Sequence, residues 1–140
     1  MPPGPVLHDR SVDLRETQCV LPESLAGVPL AREFVRTTLS EHGADVLVED
    51  ALLVVSELVT NAVLHGYGAP VLRLGPGTGW VRIEVADDSP CLPARRASGA
   101  TGGWGLALVE RLASNWGATR VGRGKVVWCE LPAVPARLIG

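Results

Sequence analysis

Two polar side chains stand four residues apart within an apolar stretch, SELVTNAVLHGYG (residues 56–68). They are Glu57 and Asn61, and residues at positions i and i+4 lie on the same face of a helix, about 6 Å apart at their Cβ atoms. A carboxylate can accept the proton of a nucleophilic hydroxyl, and an amide oxygen can bind Mg²⁺ alongside phosphates and water. The pair is therefore a candidate for phosphoryl chemistry. The alternative, which the pair alone leaves open, is a solvated edge of an amphipathic helix.

A second carboxylate, Asp87, ends the strand-like stretch WVRIEVAD (residues 80–87). Alternation along a strand puts Asp87 on the same face as Val81, Ile83 and Val85. A buried carboxylate is costly unless it is hydrogen-bonded, so one interpretation is that Asp87 accepts a hydrogen bond from a ligand, such as the exocyclic amine of a purine. The other interpretation is that the strand ends one residue earlier and Asp87 faces water or caps a turn.

Glycines precede a further apolar segment, TGGWGLALVERL (residues 101–112). Gly103 and Gly105 come directly before a predicted helix, whose free N–H groups attract phosphate, and glycine lets phosphate approach the backbone closely. Arg95 and Arg96 lie in the long loop before them and are candidates for pairing with phosphate. The alternative for both arginines is a solvated surface position.

Two other basic residues receive no chemical role from the sequence. His65 is expected at a helix C-terminus, where its charge complements the helix dipole. Lys125 follows a glycine as in a phosphate-binding loop, but Thr119 and Val126 stand where that motif requires Gly and Ser or Thr. Lys125 is therefore predicted to be a turn residue.

The elements that must position these residues follow from the spacing of apolar positions. Strands paired by hairpins, with the helices collected on one face, predict an α+β fold: a two-layer α/β sandwich with three helices and a mixed, mostly antiparallel sheet. The predicted elements are a strand over 11–19, a helical segment over 22–42 that becomes regular near Pro29, a helix over 45–65, strands over 71–74 and 80–87, a helix over 105–117, and strands over 118–122 and 125–132.

Composition limits the classes of protein to consider. The chain has 140 residues, of which 46% are hydrophobic and 20% charged, which predicts one globular domain over 11–132 with a disordered tail at 1–10 and a second tail at 133–140. A net charge of −2 argues against a general nucleic-acid binder. We expect no membrane span and no signal peptide, hence a cytoplasmic protein. The three scattered cysteines predict neither a disulfide framework nor a zinc site.

Three of these motifs, in this order, resemble the GHKL (Bergerat-fold) ATPase superfamily, which includes ATP-binding domains of gyrases, heat-shock chaperones and histidine kinases. The first motif, ExxxN, is Glu57–Asn61 here, and the second, DxG, begins at Asp87. The third, GxG with a following hydrophobic residue, runs from Gly103 to Leu106. Within the superfamily, the small size and the segments SELVTNAVLHG, DDSP and GKVVW are similar to bacterial anti-sigma-factor serine/threonine kinases, especially their short actinobacterial relatives.

The resemblance implies a role for each motif. Glu57 would be the catalytic base or would orient the hydroxyl, Asn61 would bind Mg²⁺, and Asp87 would recognise the adenine amine of ATP. The glycine loop and a lid over 91–103 would cover the phosphates. The implied nucleotide-binding residues are Asn61, Asp87, Ser89, Arg95, Gly103, Gly105 and Leu106.

The resemblance also implies a reaction and partners. The γ-phosphoryl of ATP would pass to a Ser or Thr of an anti-anti-sigma (STAS) protein, and the same domain would sequester a sigma factor, with a homodimer through the sheet as a further expectation. The alternative function is a non-catalytic or degenerate ATP-binding switch module that holds a protein partner. A histidine-kinase catalytic fragment is disfavoured because no phosphoacceptor helix hairpin fits before the first predicted strand.

Two departures from the family pattern bear on nucleotide affinity. Ser89 stands where the DxG motif has glycine, which would narrow the pocket beside adenine. Val126 stands where the late strand of the family usually carries a threonine near the base, and the loss of one such hydrogen bond is worth about 1 kcal/mol. Both changes predict weaker binding of the nucleotide.

Overall fold

The computed structural model of the protein describes residues 17–76, 80–93 and 106–132. Its helices are α1 (Gly27–Glu41), α2 (Val48–His65), which a 3₁₀ turn (Asp45–Leu47) precedes, and α3 (Ala107–Leu112). Its strands are β1 (Gln18–Val20), β2 (Val71–Pro76), β3 (Trp80–Asp87), β4 (Asn115–Val121) and β5 (Gly124–Pro132).

The strands form a five-stranded sheet in the order β1-β2-β3-β5-β4, and every neighbouring pair is antiparallel. Helices α1 and α2 pack against each other and, with α3, against the sheet. The prediction of a two-layer α+β fold with three helices is therefore confirmed for the described part of the chain.

Helix α2 is the centre of the core because its apolar residues cover more than one face. Helix α1 is amphipathic, with Ala31, Val35 and Leu39 fully buried at a spacing of four residues. Helix α2 also has adjacent pairs fully buried, Val54 with Val55 and Leu58 with Val59, because it lies between α1 and strand β3. A polar side chain on this helix is thus carried into the interior.

Strand β5 determines which side chains meet those of β3. Along β3 the buried residues are Val81, Ile83, Val85 and Asp87, so the predicted alternation continues through the last residue of the strand. The antiparallel register places Asp87 directly opposite Lys125. Directly opposite residues project to the same face of a sheet, so both side chains point toward the helices.

The predicted helix over 105–117 is wrong at its C-terminal end. Helix α3 ends at Leu112, and residues from Asn115 onward belong to strand β4. The backbone N–H of Ser114 donates to the carbonyl oxygen of Glu130, 2.8 Å away, and Trp116 is buried beside the core. Pairing with β5 thus overrides a helical spacing of apolar residues, because that spacing contains no information about the neighbouring strand.

The structure describes the first predicted strand, over 11–19, only from residue 17, and there β1 runs from Gln18 to Val20, one residue past the predicted end. Residues 1–16 and 133–140, which include both predicted tails, lie outside the described residues. All three cysteines are described and are free thiols, with Cys91 exposed and Cys129 buried. None of the helices in the described ranges combines the length and the apolarity needed to cross a bilayer.

Candidate functional site

Glu57 and Asn61 lie one turn apart on helix α2, on the side that faces the sheet and helix α3. The side chain of Asn61 is only 7% exposed, and its Nδ2 atom has no hydrogen-bond partner within the described residues. Glu57 is half-buried, and its Oε1 atom is likewise buried without a partner there. A solvated edge of the helix is therefore excluded for Asn61, and two neighbouring polar atoms are left available to a ligand.

Glu57 is held at the start of helix α3. Burial raises the pKa of Glu57 above its ordinary value, and a hydrogen bond from the backbone N–H of Val109 lowers this pKa in part. The N–H group comes from the first turn of the helix, where backbone donors lack intrahelical acceptors. Glu57 thus has a backbone donor from helix α3, while its Oε1 atom is buried without a partner among the described residues.

The raised pKa of Glu57 predicts a pH dependence of stability. Folding raises this pKa, so at pH values between the ordinary and the raised pKa the folded state binds more protons than the unfolded state. The contribution of Glu57 to the free energy of unfolding therefore falls as the pH rises through this window. Glutamine stays neutral and lacks this contribution. The free energy of unfolding of Glu57→Gln minus that of the wild type should therefore increase from about pH 4 to about pH 7, as measured by urea unfolding.

The matched control for this experiment is Glu49→Gln, which makes the same chemical change at an exposed position of the same helix. Its difference from the wild type should show no comparable rise with pH. A Glu57→Gln difference that is constant or falls with pH would contradict the burial of the carboxylate.

Asp87 is buried and accepts from protein donors. The residue is 6% exposed as part of the core-facing row of β3, so the interpretation that it faces water is wrong, although its bond to the backbone of Ser89 does cap a turn. The backbone N–H of Ser89 donates to Oδ1 at 2.7 Å. The ammonium of Lys125 lies 2.9 Å from Oδ1 and 2.8 Å from Oδ2. A carboxylate in the interior is thus stabilised by a buried cation and a backbone donor.

Lys125 is the residue that sequence reasoning missed. It was predicted to be a turn residue, yet it is the second residue of strand β5 and only 1% exposed. The alternation of β5 carried the signal, because Lys125 is in phase with the buried residues Val127, Cys129 and Leu131. The same alternation puts Val126 on the opposite face of the sheet, so Lys125, not Val126, projects toward the expected position of the base.

Ser89 and two glycines support Asp87 from outside the cavity. The hydroxyl oxygen of Ser89 accepts a hydrogen bond from the backbone N–H of Cys91, 3.2 Å away, so Ser89 closes a turn behind the carboxylate. A Cβ atom at Gly66 would lie 2.7 Å from Oδ2 of Asp87, and one at Gly124 would collide with the backbone oxygen of Asp87. Glycine is therefore required at both positions by close approach, and the GYG segment after helix α2 forms part of the site.

A small cavity joins three of the predicted residues, Asn61, Asp87 and Leu106. Its volume is about 10 Å³, about enough for one water molecule. Glu57 lies one helical turn from it, and Arg95, Gly103 and Gly105 lie outside the described residues. The lining comprises Leu58, Asn61, Ala62, Val85, Asp87, Pro93, Leu106, Lys125 and Val127.

His65 is excluded from this constellation by its position. It is the last residue of helix α2 and is exposed, as the sequence predicted. The site therefore consists of one carboxylate–amide pair on helix α2, one carboxylate–lysine pair on strands β3 and β5, and an apolar floor between them. An apolar cleft with a few convergent polar groups is the usual form of a small-molecule site.

Comparison with known proteins gives two matches of different kinds. A family model described as the histidine kinase-like ATPase domain matches residues 21–130. Among solved structures, the chain is similar to the crystal structure of the RsbU and RsbW domains of Rv1364c from Mycobacterium tuberculosis, with 26% sequence identity and a TM-score of 0.61. This match covers 82% of the present chain and 32% of that chain, so the present chain spans about a third of the length of the solved one. A search of curated proteins found no match.

Proposed function

We propose that this chain, which belongs to the histidine kinase-like ATPase domain family, is an ATP-binding regulator. In this proposal it phosphorylates a Ser or Thr of a protein partner. The observation that carries the proposal is a pair of buried polar atoms without partners among the described residues, Glu57 Oε1 and Asn61 Nδ2, one helical turn apart. Of the two residues, Asn61 lines the cavity that Asp87 also lines. Buried polar atoms are rarely left without partners unless a ligand or a reaction uses them.

Asn61 fits the role of a Mg²⁺ ligand. A 180° rotation of its amide group exchanges the nitrogen and the oxygen, so the unpartnered position can present an oxygen to a cation. Mg²⁺ often takes one or two oxygen ligands from the protein and the remainder from phosphates and water. When bound, the ion would neutralise the negative charge of the phosphates.

Glu57 fits the role of the general base. In the proposed reaction a hydroxyl oxygen of the partner attacks the γ-phosphorus, the bond to the β–γ bridging oxygen breaks, and ADP leaves. The proton of the hydroxyl passes to the carboxylate of Glu57, whose raised pKa makes it a better acceptor than an exposed glutamate. The hydrogen bond from Val109 fixes the orientation of the carboxylate without occupying the second oxygen.

Asp87 is proposed to accept the exocyclic amine of adenine, above an apolar floor formed by Leu58, Val85 and Val127. Leu106 closes the cavity from the side of helix α3. Arg95, Gly103 and Gly105 keep their proposed role at the phosphates, together with the lid over 91–103.

The partner proposed for this kinase is an anti-anti-sigma protein of the STAS fold, with a sigma factor as the protein that the domain holds. The similarity to a solved structure that contains an RsbW domain supports this proposal, as does the motif resemblance to anti-sigma-factor kinases. A cytoplasmic location and a homodimer formed through the sheet belong to the same proposal.

A second candidate function is an ATP-binding switch that holds its partner without phosphorylating it. The specific observation in its favour is the ion pair between Asp87 and Lys125, because it engages the carboxylate that would recognise adenine. Retention of Glu57 beside Asn61 favours the kinase, and the two candidates differ in whether phosphate is transferred.

Calorimetric titration with ATP, with and without Mg²⁺, tests the nucleotide site. The wild type should bind ATP more tightly with Mg²⁺ than without it. In Asn61→Ala this gain in affinity should be smaller by about tenfold or more, because one charged contact is worth about 1.5–3 kcal/mol. Asn115→Ala, at an exposed position of strand β4, is the matched control and should bind like the wild type. No binding of ATP by the wild type at millimolar concentration would refute the proposed function.

A further inference from the structure

Lys125 occupies the interior of the proposed base pocket. Among the described residues it is the largest fully buried side chain, and it lines the cavity together with Val85 and Val127. Its ammonium contacts both oxygens of Asp87, at 2.9 and 2.8 Å. The side chain of Lys125 thus takes up volume in the proposed base pocket and places a positive charge beside Asp87.

The hydrogen-bonding capacity of Asp87 is largely used by these contacts. Oδ1 accepts from the backbone N–H of Ser89 and from Lys125, and Oδ2 accepts from Lys125. The cavity of about 10 Å³ that remains is far too small for a purine ring. The cavity must therefore widen before a purine can enter, and a purine amine then meets a carboxylate that the lysine already engages.

The location of Lys125 gives it a short route out of the cavity. It follows Gly124 at the start of strand β5, directly after the exposed turn at Gly122 and Arg123. A lysine side chain has four methylene groups and often reaches solvent while its stem stays on apolar surface. Rotation of the side chain toward the turn would release Asp87 without unfolding the strand.

We propose that Lys125 determines the affinity and base specificity of the nucleotide site by competing, as an internal cation, with the purine amine for Asp87. This inference rests on the proposed function, because it assumes that a purine nucleotide occupies the site. The competition weakens binding of ATP, and it weakens discrimination at position 6 of the base, since the ammonium can donate to a carbonyl there as readily as Asp87 accepts from an amine.

The experiment compares ATP with inosine triphosphate in the presence of Mg²⁺. The two nucleotides share the triphosphate and ribose and differ along one edge of the base, where the 6-amine and the acceptor N1 of ATP are replaced by a carbonyl and an N1–H donor. The ratio of their dissociation constants therefore isolates recognition of the base from any effect of the lysine charge on the phosphates. The wild type, Lys125→Thr and Lys125→Met are titrated calorimetrically, and circular dichroism of each variant establishes that it is folded.

Lys125→Thr should bind ATP at least tenfold more tightly than the wild type. Its preference for ATP, the dissociation constant of inosine triphosphate divided by that of ATP, should be at least tenfold larger than the same ratio in the wild type. Lys125→Met keeps most of the packing and removes the charge, so it should raise the same ratio even if threonine at this position prevents folding. Val126→Thr changes the neighbouring residue on the opposite face of the sheet and is the matched control, with affinities like those of the wild type.

Three results would overturn the inference. An unchanged or smaller ratio in the folded Lys125 variants would show that the lysine does not compete with the amine. Weaker binding of both nucleotides with an unchanged ratio would assign Lys125 to the phosphates or to the packing of the core. Absence of binding in the wild type and in all variants would overturn the proposed function as well, whereas the first two results leave it intact.

Discussion

Replacement of Glu57 by glutamine is expected to slow phosphoryl transfer by about 10²–10⁴-fold, the usual contribution of a general base, while the affinity for ATP stays nearly unchanged. Glutamine has the same shape and can still accept the hydrogen bond from the backbone N–H of Val109, so the position of the side chain is preserved. It cannot accept the proton of the attacking hydroxyl. The nucleotide contacts proposed for Asn61 and Asp87 are not altered.

The measurement is transfer of labelled γ-phosphate from ATP to a purified STAS-domain protein, with calorimetric titration of ATP in parallel. Glu49→Gln, at an exposed position of the same helix, should transfer phosphate at the wild-type rate. Equal rates for Glu57→Gln and the wild type would refute the role of Glu57 as base. Binding of ATP without detectable transfer by the wild type would favour the switch module over the kinase.

Replacement of Asp87 by asparagine is expected to lower the free energy of unfolding by about 3–5 kcal/mol, the usual cost of removing one partner of a buried ion pair. The side chains of Asp87 and Lys125 are each 1% exposed, so the ammonium that is left either stays buried without a counter-charge or leaves the interior and gives up its packing. Asparagine can accept one hydrogen bond from Lys125 but cannot neutralise its charge. Urea unfolding at neutral pH measures the loss.

A double-mutant cycle separates the ion pair from other effects at the site. Asp87→Asn combined with Lys125→Met removes both charges, so the double variant should be clearly more stable than Asp87→Asn alone. The exposed neighbour gives the matched control, because Asp88→Asn removes a charge that is not buried and should change stability by less than about 0.5 kcal/mol. A loss below about 1 kcal/mol for Asp87→Asn would contradict the buried ion pair.

The site residues that could be predicted from the sequence are those for which local spacing carries the information. The four-residue spacing placed Glu57 and Asn61 on one helix face, and the alternation of strand β3 placed Asp87 among apolar residues. Neither pattern decided between a solvated and a buried position. That decision came from the packing of helix α2 against the sheet and helix α3, which buries Asn61 and leaves one oxygen of Glu57 without a partner among the described residues.

Helix α3 shows where the spacing of apolar residues is insufficient. The segment over 105–117 has a helical pattern, yet its last residues join strand β4 because hydrogen bonds to β5 are available to them. The position of Trp116 is consistent with either element in the sequence, since a buried aromatic residue suits a helix face or a strand face. Only the neighbouring strand distinguishes the two.

The sequence by itself determined the order of the elements and the α+β architecture, because these depend on periodicity and composition within short segments, and its resemblance to a known family identified the motif residues. The tertiary structure decided that Asp87 faces Lys125. That contact depends on the register of strands β3 and β5, which pairs two residues 38 positions apart, and no local pattern specifies a register between distant segments. It also decided that Lys125 is buried, although its neighbours in the sequence are those of a turn residue. Strand β5, to which Lys125 belongs, lines the cavity beside Asn61.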